Sequence, residues 1–165
     1  MNIFMLDSDP ALAAKYHCDR HTTKMLVEYA QLMSTAHRVI DDIPNGVGPF
    51  YRATHKNHPS AVWVRESINN YRWLYDLWVF LHREYQSRYG RDHASFVRLS
   101  ETLRQPPAGI PQIDGTPLRL AIANTAYHRS TPVESYRAYY NGDKARFARW
   151  KNGAIPKWFS GVSDV

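Results

Sequence analysis

Residues 16–28 read YHCDRHTTKMLVE, and their spacing decides how the first quarter of the chain folds. His17, His21, Lys24 and Glu28 recur at intervals of four, three and four, which places them on one stripe of an α-helix. Carrying that phase forward puts Met25, Tyr29, Leu32, Met33, Ala36 and Ile40 on one side, the pattern of a core face. An adjoining stripe holds His17, His21, Lys24, Glu28, Gln31, Thr35 and Arg38, over about five turns at 3.6 residues each. Asp9 followed by Pro10 is an N-cap with proline at the first helical position. A helix is therefore expected from Pro10 to about Ile40, with Thr22-Thr23 as the place for a bend and a loop at Gly46 and Gly48.

Beyond this helix, the sequence predicts a second long one from Pro59 to Tyr89, stopped by Gly90. It is rich in aromatics, and Trp63, Glu66, Asn70 and Trp73 give it one edge both polar and aromatic. Asp92-His93 should cap a shorter helix to about Leu103. Residues 105–118, QPPAGIPQIDGTPL, are too rich in proline and glycine for a regular element. Thr131-Pro132-Val133-Glu134 matches a capping box, so a helix is expected over 132–140, broken at Asn141-Gly142 and resumed from Asp143 to Lys151. Asn2 to Leu6 reads either as a short strand or as a buried extended lead-in. With no sustained period-two pattern, the fold class is all-α: two long packed helices plus shorter C-terminal helices.

The chain has 165 residues, 44% hydrophobic and 13% aromatic, which suits one domain over 1–165 with a substantial core. MNIFMLDSDP lacks the form of a secretory leader, and no stretch has the apolar length of a membrane span, so a cytoplasmic protein without a membrane partner is expected. Cys18, the one cysteine, has no internal disulfide partner and reads as a small buried hydrophobe. Net charge is +6, and fifteen arginines stand against six lysines. The planar fork of arginine favours a polyanionic or phosphorylated partner.

Two kinds of chemistry fit the stripe together with Thr54-His55-Lys56-Asn57-His58-Pro59. If the long helices pack antiparallel, His55 and His58 come closer to Gln31, Thr35 and Arg38 than to His17. In one reading a divalent metal is held by His17, His21, His55 and His58, since i, i+4 imidazoles can share an ion. Against it, Cys18-Asp19-Arg20 does not complete an HExxH motif, and Arg20 and Lys24 would repel the ion. The other reading needs no cofactor. Glu28 is the acid–base, His17, His21 and His58 assist or polarise, Lys24 and Arg38 hold phosphate, and Gln31, His55, Asn57, Asn70 and Trp73 complete a substrate-facing wall. A plain i, i+4 ion pair between Lys24 and Glu28 on a wet face would also explain those two residues, at about 0.3–0.5 kcal/mol. The C-terminal segment alternates cations and aromatics through Arg137, Lys144, Arg146, Arg149, Trp150, Lys151 and Trp158. That pattern serves phosphate contact and base stacking, or else an amphipathic helix docked on the core.

On these residues the chain resembles a family of small bacteriophage-encoded proteins with the pattern HxDKHxxKM near the start and THxNHP later. The matching residues are His17, Asp19, His21, Lys24-Met25 and Glu28, then Thr54-His55 and Asn57-His58-Pro59, with Arg20 in place of the usual lysine. The resemblance implies a phage protein working in the host bacterial cytoplasm. More weakly, the chain is similar to phage pyrimidine-dimer DNA glycosylases, small basic helical proteins with a tryptophan- and tyrosine-rich basic tail. That likeness casts Glu28 as the helix-borne glutamate. The family's amine nucleophile is not carried over, because Asn2 opposes removal of Met1 and the NIFML start predicts burial. The expected function is an enzyme acting on DNA or nucleotides by base excision or base modification. The rivals are a metal-dependent hydrolase of a small phosphorylated metabolite or signalling nucleotide, and a non-catalytic anti-defence binding protein.

Overall fold

The computed structural model describes residues 1–162 and 164–165. The α-helices are α1 (Pro10–Tyr16), α2 (Asp19–Ile40), α3 (Pro59–Glu66), α4 (Ile68–Tyr89), α5 (Ala94–Arg104) and α6 (Pro132–Tyr139), with a 3-10 turn at Thr125–Tyr127 and a π turn at Tyr140–Lys144. The fold is all-α, with no strand among the described residues. Helix α2 packs against α3, α4 and α5, while α1 lies on α4. The apolar face read from the sequence, Met25 through Ala36, is buried among Tyr71, Leu74, Leu77 and Trp78 of α4. The Trp78 indole donates to the Leu26 carbonyl across that seam at 2.8 Å.

Both expected long helices are interrupted. The first breaks at His17-Cys18, short of the expected bend at Thr22-Thr23, because Arg88 of α4 withdraws the carbonyls a continuous helix would use. Its guanidinium donates to His17 O at 2.8 Å, Lys15 O at 3.1 Å and Thr22 Oγ1 at 3.0 Å, and pairs with Asp19 at 3.1 Å and Glu84 at 3.0 Å. Thr22 contributes in turn, its hydroxyl donating back to Cys18 O at 3.1 Å. The second helix breaks at Ser67, which is extended and caps α4 by accepting from the Asn70 amide at 3.0 Å. The Ile68 amide then donates to Pro111 O at 2.9 Å, outside the helix.

Asn2 to Leu6 is the buried lead-in and not a strand. Ile3, Phe4 and Leu6 are buried, the Phe4 amide donates to the Tyr29 hydroxyl at 3.1 Å, and Leu6 O accepts from Arg137 at 2.8 Å. Residues 105–118 contain no regular element and are pinned from outside. Thr116 is bonded to Trp63 and Asn70, and the Ala108 and Gly109 amides both donate to Asp41 at 2.9 Å. The capping box at Thr131 and Glu134 is present, as is a cap on α5 by His93, whose Nδ1 accepts from the Ser95 amide at 3.2 Å. The expected helix over 143–151 does not form. After α6 the chain makes its π turn, and Asp19 claims the peptide groups that follow, donating to Arg149 O at 2.8 Å and accepting from the Lys151 amide at 3.0 Å. Gly142 permits this path, since a Cβ there would overlap the Tyr127 ring. Among the described residues no helix is long and apolar enough to cross a membrane.

Candidate functional site

The polar stripe sinks and surfaces along α2. At its start His17 is fully buried, with both ring nitrogens satisfied. Nδ1 lies 2.7 Å from Ala13 O and Nε2 lies 2.8 Å from the Tyr29 hydroxyl. Since Tyr29 also accepts from the Phe4 amide, its proton goes to Nε2, and His17 carries its hydrogen on Nδ1. Burial is the main force holding this imidazole neutral, taking its pKa down to about 4. His17 is thus a core residue that seats the lead-in and not part of an open wall.

His21, beyond the break and in the first turn of α2, is 5% exposed and stacks on Phe4 at 4.2 Å with an interplanar angle of 19°. Its Nδ1 lies 2.6 Å from the Tyr140 hydroxyl. Desolvation lowers its pKa to about 2, assisted by His17, Lys144, Lys24 and Arg20. Arg20 and Lys144 gather with Arg146 around Phe147: Arg20 Cζ is 4.7 Å from the ring centre, Arg146 Cζ 5.8 Å and Lys144 Nζ 5.9 Å, and the His21 ring meets it edge-on at 5.5 Å. The start of the stripe and the basic C-terminal segment therefore share one surface.

Further along, Lys24 Nζ pairs with Glu28 Oε1 at 3.2 Å, the lysine side chain 61% exposed and the glutamate 18%. Glu28 lies within electrostatic reach of His58, whose pKa is lowered by burial and then by the chain's amino terminus and His55, with Glu28 opposing. The THKNHP motif thus meets α2 at its middle, as the antiparallel arrangement requires. Thr35 fixes it there, bonding the Thr54 amide at 3.2 Å and the Thr54 carbonyl at 3.4 Å. His58 caps α3 by accepting from the Ser60 amide at 3.1 Å, so its Nε2 remains for other work. His55 is exposed at φ 47°, its Nδ1 2.6 Å from Thr54 Oγ1. Asn57 is exposed and Gln31 half-buried beside this group.

Other proposed site residues have structural duties. Arg38 is 5% exposed, and its guanidinium is used up by carbonyls, donating to Tyr51 O at 3.1 Å, Val47 O and Phe50 O at 2.7 Å, and Pro44 O. It organises the 43–51 loop, and with Nε, Nη1 and one Nη2 hydrogen committed to that loop's carbonyls the side chain is buried away from any open phosphate site. Asn70 is buried, with Nδ2 donating to Trp63 O and Thr116 Oγ1 and Oδ1 accepting from the Thr116 amide. The Trp73 indole donates to Ser8 O at 2.9 Å. In the tail, Arg137 is paired with Asp7 at 3.0 Å and lies over the Tyr16 and Trp158 rings. Trp150 is buried with its indole on Tyr16 O at 3.1 Å, while Arg149 and Lys151 stay exposed.

The four histidines form no shared ligand set. His17 has no nitrogen free and, among the described residues, no three His, Cys, Asp or Glu side chains are grouped to hold a metal. Tyr29, Tyr140, Arg20 and Phe147 matter to the site although the sequence pattern gave none of them a site role. Arg20 and Phe147 had a signal, as cation and aromatic next to the stripe and within the tail, whereas the two tyrosines act across long sequence separations. Comparison with family models, curated proteins and solved structures finds no match.

Proposed function

We propose that the protein acts on DNA or its nucleotides, with Glu28 performing acid–base chemistry at a base or its glycosidic carbon. The observation that carries this reading is the continuous surface running from Arg146, Lys144 and Arg20, past Lys24, to Glu28 and His58. Arg20, Lys144 and Arg146, which make no ion pair among the described residues, suit a phosphate backbone, and Lys24 leads from them to the carboxylate it holds. Glu28 would take a proton from an attacking water or stabilise positive charge developing at the sugar, while His58 Nε2 and Asn57 contact the base. A base within duplex DNA would have to be turned out of the stack to reach Glu28.

The test is incubation with damaged, modified and plain oligonucleotides, following binding by fluorescence anisotropy and product by mass. We expect a product with at least one substrate, and for Glu28→Gln a turnover about 100-fold slower or less with binding retained. No binding and no product across the panel would overturn the proposal. Tight binding without turnover, unaffected by Glu28→Gln, would replace it with a non-catalytic nucleic-acid binder.

A further inference from the structure

We propose that His21 forms the floor of a phosphate-anchoring site, its Nε2–H donating to one oxygen of a substrate phosphate surrounded by Arg20, Lys24 and Lys144. This deepens the nucleic-acid reading and rests on it for the identity of the substrate.

The direction of the histidine's hydrogen follows from its neighbour. Tyr140 is fully buried, and its hydroxyl already accepts from the Cys18 amide at 3.4 Å. The phenol proton goes to His21 Nδ1 at 2.6 Å in preference to the Cys18 thiol, which also bonds Tyr140 but whose sulfur is a weak acceptor, so Nδ1 is bare and Nε2 bears the hydrogen. No hydrogen bond is made by Nε2 among the described residues. Nor is it sealed in, because the fully enclosed side-chain atoms lacking a partner are Ser60 Oγ, Arg88 Nε and Trp158 Nε1. Phe4 stacked below and Phe147 at the edge fix the ring, which gives a single donor of fixed direction at the base of a cationic rim.

The rim selects the ligand. Arg20, Lys144 and Arg146 make no ion pair among the described residues, and Lys24 engages only Glu28. A metal cation would be repelled there, while a carboxylate would satisfy too few donors. A phosphate offers several oxygens and more charge, and a neutral imidazole donates to it without adding to the repulsion among the cations. His21 and Glu28 are seven residues apart on α2, about 10 Å along the axis at 1.5 Å per residue. The anchored phosphate therefore flanks the nucleotide that reaches Glu28 and does not belong to the reacting bond.

The decisive measurement is nitrogen-15 NMR of the histidine side chains during titration with inorganic phosphate and then with a substrate oligonucleotide. A saturable shift of the His21 Nε2–H, with Nδ1 remaining unprotonated, is expected in both titrations. In parallel, the double variant Arg20→Gln/Lys144→Gln, altered outside the core, should bind the oligonucleotide about tenfold more weakly. The salt dependence of its binding should be shallower by about two phosphate contacts. Scanning methylphosphonates along the oligonucleotide should find one sensitive position that the double variant no longer senses. An unshifted His21 together with unchanged affinity in the double variant would overturn the anchor, and Glu28-dependent turnover would then leave the function itself standing. A retained phosphate shift with no product from any oligonucleotide would support the anchor and reject the chemistry at Glu28.

Discussion

His17 and His21 are built alike and finish differently. They stand four residues apart on either side of the break between α1 and α2, each meets a buried tyrosine hydroxyl, and each of those hydroxyls accepts a backbone amide, from Phe4 at Tyr29 and from Cys18 at Tyr140. At His17 the second nitrogen finds Ala13 O and the network closes; at His21 it finds no hydrogen-bond partner among the described residues. Residue type, spacing and burial are shared, so none of them marks a functional histidine. What distinguishes the two is whether the last hydrogen-bonding atom is answered from within the fold.

The largest expected effect tests what creates the closed half of the pair. Arg88→Met should destabilise the protein by about 3–5 kcal/mol in urea unfolding, because it leaves Asp19, Glu84 and the carbonyls at the helix break without their cation. A loss below about 1 kcal/mol would mean that the break is held by something else. Next, Tyr29→Phe should cost about 2–4 kcal/mol by stranding both the Phe4 amide and His17 Nε2. Tyr140→Phe should cost about 1–2 kcal/mol, since its amide bond is long and the His21 ring keeps an edge toward solvent. Equal losses would erase the distinction between the two histidines.

Acid should sharpen the comparison in a second way. His17 and His37 are both held down to about 4 and His21 to about 2, each chiefly by burial. With folded values below the unfolded one, their contribution to stability is fully present above about pH 6.5 and is lost as pH falls toward 4, because the unfolded chain binds more protons in that window. The melting temperature should therefore fall from pH 6.5 to pH 4, and a flat or rising profile would contradict the buried neutral assignment. The smallest effect belongs to the surface. Lys24→Ala should change stability by no more than about 0.5 kcal/mol, as an exposed i, i+4 pair implies. A larger loss would give that pair a structural weight that the stripe reading denies it.

Local signals were legible in the sequence. Asp9-Pro10, the Thr131–Glu134 box, Gly90 and the proline-rich 105–118 segment all do what their chemistry predicts, because each acts within a few residues of itself. The stripe on α2 was also legible as an angle, but an angle carries no depth. His17 and Arg38 lie on the same line as Lys24, yet the first is covered by the lead-in and the second by the 43–51 loop. The two helix breaks escaped for a related reason, since Arg88 and Pro111 cause them from far along the chain. The 143–151 segment has the amphipathic composition of a helix, but Asp19 takes its Arg149 carbonyl and Lys151 amide.

Arg38 carries one more consequence. The 43–51 loop wraps its carbonyls around a single guanidinium, and Thr54, bonded to Thr35, follows directly. Such a segment has a central fastener in place of a ladder of its own, with Arg98 on Pro49 O and Ser34 on the Tyr51 amide as lesser ties at its end. Its amides should exchange with solvent in a single cooperative opening, and the motif that brings His58 to Glu28 should lose its register in that same event.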